Sequence, residues 1–389
     1  MPRKRLIVAT LIFGFLCGLS GLTGCVSHSE TPEPTIPVLD ESAITRHMPP
    51  SIKDREGWAE DITAALRLIE REPTAERVCA VVAVIQQESG FQKDPVVANL
   101  PDIVRKGLEK KFEKLGILKT PAIYALLSGQ APGSKLTFAQ RVDALKSERD
   151  LDRLFRDIAE TYREKMPGTF AVASAMSVLL GKGALQDLNP VTTAGSMQVK
   201  VSFAKSVKGN SDLSDTAIRE QLYTRAGGIR YGTARLIAYP AQYDDILYRF
   251  ADYNAGLYTS RNAAFQAQLS DLTGEPLTFD GDLLAYGDDG EAKDFETESL
   301  RTLLSFGATH DISSWTIHRD AKKEKSEEFE ETTTRKALRA AWEKKNGRKA
   351  PYAQIPNVKL NSPKLSKTRT TSWFATSVKQ HYQECRARD

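Results

Sequence analysis

The sequence predicts a mainly α-helical protein, and three observations carry that expectation. Apolar residues recur at helical spacing: within Thr74–Phe91, the residues Val78, Val81, Val82 and Ile85 fall at i, i+3, i+4 and i+7. The pattern returns at 101–115, 121–129, 137–166 and 169–181, and again at 319–347. Proline and glycine punctuate these stretches, as in TYREKMPGTF at 161–170. With 389 residues, 41% of them hydrophobic, the chain suffices for one large domain or two smaller ones.

At the N-terminus, Arg3-Lys4-Arg5 precedes an apolar run from Leu6 to about Leu19, and Leu22-Thr23-Gly24-Cys25 follows. A positive segment, an apolar segment and small residues before a cleavage position make up a secretory signal. The box before Cys25 resembles that of bacterial lipoproteins. This implies a signal peptide over 1–24 and a lipid on Cys25. With Val26 next, it also implies an outer-membrane anchor facing the periplasm. The competing reading is an uncleaved membrane anchor, since about 19 apolar residues just reach across a bilayer. Removing 1–24 removes three basic residues and leaves 51 basic against 50 acidic. No charge excess steers such a chain to nucleic acid. Residues 25–55 read as a tether, extended through the Pro-, Ser-, Thr- and Glu-rich 26–50. Cys79 and Cys385 remain in an oxidising compartment, where they either pair or leave Cys79 an inert buried thiol.

The first helix expected is 57–71, with Trp58, Ile62, Ala65, Leu66 and Ile69 at helical spacing and Trp58 in the core. In the next, Thr74 is the N-cap, Glu76 sits in the first turn, Gly90 is the C-cap and Phe91 packs back. Glu88 lies at the edge of the apolar stripe, beside Val81 and Ile85. Partial desolvation and the negative end of the helix dipole both disfavour its charged form and raise its pKa. A carboxylic acid still protonated near neutral pH suits a general acid for glycosidic-bond cleavage. For a lone Glu-Ser-Gly, a solvated helix-end glutamate is the plainer reading.

Two later stretches bear on that choice: AGSMQV at 194–199 and ADYNAG at 251–256. A helix ending in ESGF, then a Gly-x-Met-Gln turn, then Tyr-Asn-Ala-Gly at a helix end resembles the three motifs of the soluble lytic transglycosylase domain of the lysozyme-like superfamily. The likeness covers Thr74–Gln92 and Leu188–Gln268, about a quarter of the chain. It implies a lysozyme-like helical domain split into 56–92 and 187–270, with a helical insertion at 93–186 and a C-terminal extension of unknown fold at 271–389. It also implies catalytic roles for Glu88 and Tyr253, the tyrosine holding the acid. Ser89, Met197, Gln198 and Asn254 would contact peptidoglycan glycan strands. The family needs no cofactor. The long insertion departs from it, and the other reading is that ESGF is accidental. The whole chain also resembles a family of uncharacterised bacterial lipoproteins.

The residues themselves support parts of this. Gly195 permits a tight turn, Met197 offers either a soft apolar wall or core packing, and Gln198 offers an amide donor and acceptor. Residues 201–207 read as helix, and 217–240 as another, interrupted at Gly227-Gly228 where close helix–helix packing is expected. In the helix 244–256, Tyr253 points inward and Asp252 lies off the buried face as a solvated partner of Arg249. The acidic 278–298 reads as a solvated loop without calcium spacing, 297–306 as a short helix, and the basic 357–373 as a solvated extended tail able to touch an anionic polymer. The five histidines show no metal spacing. The expected reaction is cleavage of the MurNAc–GlcNAc β-1,4 bond with a 1,6-anhydro product, because Asp252 is the only other carboxylate within these motifs. A non-catalytic peptidoglycan-binding lipoprotein and a muramidase-type hydrolase are the alternatives.

Overall fold

The computed structural model describes residues 37–164, 189–287, 292–360 and 369–388. Cys25 and its box, the first part of the tether and the helix expected at 169–181 lie outside them. In chain order the helices are α1 (Glu41–His47), α2 (Arg55–Leu68), α3 (Ala75–Ser89), α4 (Leu100–Lys111), α5 (Lys119–Leu127), α6 (Phe138–Asp143) and α7 (Glu148–Glu164). There follow α8 (Val201–Ser206), α9 (Asp215–Leu222), α10 (Arg225–Ile237), α11 (Ile246–Ala255) and α12 (Thr259–Thr273). The last are α13 (Glu298–Thr309), α14 (Ser314–Ala321), α15 (Thr333–Asn346) and α16 (Thr371–Arg386). Strand among the described residues is limited to two antiparallel pairs, β1 (Thr193–Ala194) with β2 (Val199–Lys200), and β3 (Lys359–Leu360) with β4 (Arg369–Thr370). The protein is mainly α.

Helix α3 is the centre. Thr74 Oγ1 caps it by accepting from the Arg77 N–H, and Gly90 ends it at φ 57°. Every residue from Val78 to Ile85 is at most 2% exposed. The expected one-sided stripe is therefore a helix buried all round, with α1, α10 and α16 packed against it. Phe91 does turn back, edge to face on Trp58 at 5.1 Å.

Three apolar clusters organise the chain. The first joins α1, α2, α3, residues 194–204, α9, α10, α11 and α16. The second lies wholly within 100–159, so the insertion has its own core. The third spans 265–338. The chain then returns: α16 joins the first cluster, and a Cys79–Cys385 disulfide ties it to α3 with Cα atoms 5.5 Å apart.

Several expectations need correction. Residues 41–48 are helix and loop, not open tether, with Ile44 and Met48 fully buried. The stretch 137–166 is two helices, because the Asp150 carboxylate accepts from the Lys146 and Ser147 N–H groups and starts α7 afresh. The stretch 217–240 breaks at Tyr223-Thr224, where Thr224 Oγ1 caps α10 through the Gly227 N–H. The paired glycines thus open a helix instead of interrupting one. The stretch 319–347 is broken after Ala321 and restarted by the Thr332 cap. Within 278–287 the loop is not solvated: Leu283 and Leu284 are buried, and their N–H groups donate to Glu324 at 2.6 and 2.9 Å.

Candidate active site

The last turn of α3 emerges from the core at Gln86-Gln87-Glu88, all half-buried. Glu88 there lines a cleft of about 700 Å³. Opposite it stands the β1–β2 hairpin, whose four-residue loop is Gly195-Ser196-Met197-Gln198 and closes with the Gln198 N–H on the Gly195 carbonyl at 3.0 Å. Gly195 sits at φ 80°, and a Cβ on it would lie 2.3 Å from the Leu222 carbonyl oxygen. Gly228 and Gly232 give the loop a flat landing face on α10. A Cβ on Gly232 would meet Met197 Sδ at 2.3 Å. Of the pair expected to pack closely between helices, Gly227 does meet a helix, since a Cβ on it would lie 2.0 Å from the Gln221 carbonyl oxygen of α9, whereas Gly228 meets the loop at Ser196.

Gln198 takes the left-handed region at φ 48°, which is unusual for a residue with a Cβ. Its side chain lines the cleft, and Oε1 accepts from Thr193 Oγ1 at 2.8 Å. Met197 does not line it. Its side chain is fully buried against α10, so the soft-wall expectation gives way to core packing. Its carbonyl serves the site instead, accepting from Tyr253 Oη at 2.6 Å. Ser89 is also away from the cleft wall: its hydroxyl donates to the Ile85 carbonyl and accepts from the Gln92 N–H, closing the helix end.

Tyr253 and Asn254, at the end of α11, line the same cleft. Burial, and then the Glu88 charge, raise the Tyr253 pKa, so the phenol stays protonated. Arg235 of α10 donates from Nε and Nη2 to the Tyr253 carbonyl at 3.1 and 3.0 Å. Burial lowers the pKa of Arg235 against the pull of Tyr253, Tyr239, Asp252 and Glu88. Asn254 Oδ1 accepts from Thr371 Oγ1 at 3.1 Å. Asp252 contradicts its expectation. It is fully buried, not solvated, and accepts from Tyr239 and Tyr243 hydroxyls and from the Tyr258 and Ser260 N–H groups at 2.6–3.1 Å. Four donors replace water, while burial raises its pKa.

The cleft also holds residues that no motif flagged. Glu148, the first residue of α7, is 6% exposed and lines it, so the insertion supplies a second carboxylate. Lys200 and Arg235 line it as well. The segment read as a solvated tail forms the remaining wall: β3, β4 and the start of α16 bring Lys359, Arg369 and Trp373. The basic, aromatic run 357–373 was the available signal. For Glu148, nothing in the spacing could place an insertion residue beside Glu88. The grouping of metal-type ligands found among the described residues, His47, Cys79 and Cys385, has its two sulfurs joined to each other.

The family described as "Protein of unknown function (DUF1615)" matches residues 51–388, which include the insertion and the C-terminal wall as well as the three motifs. The chain is similar to the uncharacterized protein YaiW of Escherichia coli (strain K12), with 35% identity over 371 residues covering 94% of each chain. No solved structure matches it.

Proposed function

We propose that this chain, which belongs to the DUF1615 family, is a peptidoglycan lytic transglycosylase with a lysozyme-like catalytic domain. One observation carries the reading. Glu88 from α3, Gln198 from the hairpin, and Tyr253 with Asn254 from α11 arrive from distant parts of the sequence and line one cleft. Glu88 protonates the oxygen bridging muramyl C1 and the next sugar as that bond breaks. Its carboxylate then takes the proton of the muramyl C6 hydroxyl, whose oxygen attacks C1. One bond breaks, one forms, no water is consumed and the acid is restored. The C6 hydroxyl is held within the same sugar, which favours it over free water. Tyr253 ties the hairpin to α11 beside Glu88, and Gln198 and Asn254 hold sugar. Lipid on Cys25 anchors the domain to the outer membrane on the periplasmic side; an unlipidated Cys25→Ala chain that still fractionates with membranes would remove that part.

Incubation with purified sacculi tests the reading. The wild type should release soluble muropeptides, and Glu88→Gln should lose about 10²–10⁴ in rate while melting at nearly the same temperature. Undiminished release by that variant would refute the role of Glu88.

Glu148 favours a second reading, muramidase-type hydrolysis. A second carboxylate serves inversion at about 6.5–9.5 Å from the acid or retention at about 5–5.5 Å. Asp252, the candidate the sequence suggested for that role, lies in the core and not on the cleft wall.

A further inference from the structure

The C-terminal wall of the cleft lies outside every segment that resembles the transglycosylase domain, yet it is firmly fixed to the site. The disulfide joins α16 to α3, which carries Glu88. Ser377 Oγ donates to Gln87 Oε1 at 2.7 Å, one residue from the candidate acid. Thr371 bonds Asn254, and Lys379 pairs with Asp245 at the start of α11. A wall tied to both elements that carry the chemistry is placed for work on the same substrate.

Its charge shows what that work is. Four cations line the cleft, Lys200, Arg235, Lys359 and Arg369, against the two carboxylates Glu88 and Glu148. Arg235 is committed to the Tyr253 carbonyl. Arg369 has its guanidinium carbon 3.7 Å from the centroid of the Trp373 ring. The stacking orients the planar fork and leaves its N–H edge free to point at a partner. Lys359 sits across the β3–β4 pair, where Lys359 faces Thr370 and Leu360 faces Arg369. No carboxylate among the described residues pairs with Lys359 or Arg369. In the intact polymer the lactyl carboxyl of muramic acid is tied up in the amide to the stem, so the sugars themselves offer these cations no charge, whereas the peptide stem presents free carboxylates beside the scissile bond. A guanidinium fork matches a carboxylate in a bidentate way.

Resting on the reading above, we propose that Lys359 and Arg369, with Trp373 orienting Arg369, form a carboxylate subsite for the peptide stem, so that the substrate is held through the stem's free carboxylates as well as through its sugars.

The test uses the full chain carrying Glu88→Gln, which suppresses turnover, and compares its sedimentation with two probes: intact sacculi, and the same sacculi with their stem carboxyls converted to neutral amides by a carbodiimide and ammonia. The intact form should bind about ten-fold tighter, as expected of two partly exposed charge contacts. Raising the ionic strength should erase the difference. Adding Arg369→Gln or Lys359→Glu should bring the ratio towards one. Lys359 is exposed, so its variant keeps the test sound should Arg369→Gln fail to fold. Equal binding of both probes, a ratio that survives both substitutions, or binding to anionic lipid vesicles in place of sacculi would each overturn the subsite. Failure of the subsite and failure of the lytic reading separate cleanly. A wild type that releases muropeptides with equal binding of the two probes loses only the subsite. One that binds selectively and releases nothing loses only the chemistry.

Discussion

Removing the Cys79–Cys385 bond is the perturbation whose size follows most directly from the structure. The bond closes a sequence separation of 306 and fastens the last helix to the central one. Treating its effect as loop-closure entropy of the unfolded chain gives about 6 kcal/mol as an upper figure, and native disulfides commonly contribute about 2–5 kcal/mol. Both cysteines are fully buried, and α16 also docks through Phe374, Ala375 and Val378, so the variant helix should still find its place, only less tightly. A chain starting at Pro37 holds no other cysteine. In urea, its Cys79→Ala/Cys385→Ala variant should unfold at a lower midpoint, with a stability loss of about 2–5 kcal/mol. The unmodified chain, denatured without reductant, should show no titratable thiol. A loss below about 1 kcal/mol, or two free thiols in the unmodified chain, would refute the reasoning.

Three further outcomes are expected. Gly195→Ala should cost at least about 2 kcal/mol, from a strained φ and a clash with the Leu222 carbonyl, and should abolish muropeptide release; wild-type stability would contradict it. Asp252→Asn should cost about 2–4 kcal/mol, because an amide N–H₂ must face one of four donors, yet should leave the reaction product unchanged. Burial pushes Glu324 up from 4.5 to about 7 against the pull of Lys325 and its hydrogen bonds. The folded state therefore holds that proton more tightly than the unfolded state. The stabilisation is complete below pH 4.5 and is lost as the pH rises through about 7, about 3 kcal/mol in all. Urea midpoints across this window should fall for the wild type relative to Glu324→Gln; parallel curves would exclude the effect.

Much of the helical content was legible in the sequence, and so were the capping residues of α3, because spacing and caps are local. Tyr253 and Gln198 could be picked out for the same reason, each lying in a short motif. What could not be read were the long-range returns. Asp252 looked solvent-facing from its helical angle, but Tyr239, Tyr243 and the start of α12 close over it. Breaks inside long helical patterns were missed at Asp150 and Thr224, where a side-chain cap outweighs continued apolar periodicity. Met197 was ambiguous because a thioether suits a groove or a core equally, and only Gly232 beneath it decides. Glu148 and Arg369 reach the cleft through an insertion and a C-terminal return, and no local pattern encodes such a meeting.

The mass of the products released from sacculi tests the central claim most directly. An anhydro muropeptide lacks one water relative to its hydrolysed counterpart. Anhydro products are expected from the wild type, the same products from Glu148→Gln, and release slowed about 10²–10⁴-fold in Glu88→Gln. Products of hydrolysed mass alone, lost on Glu148→Gln, would contradict it and establish the hydrolase in its place.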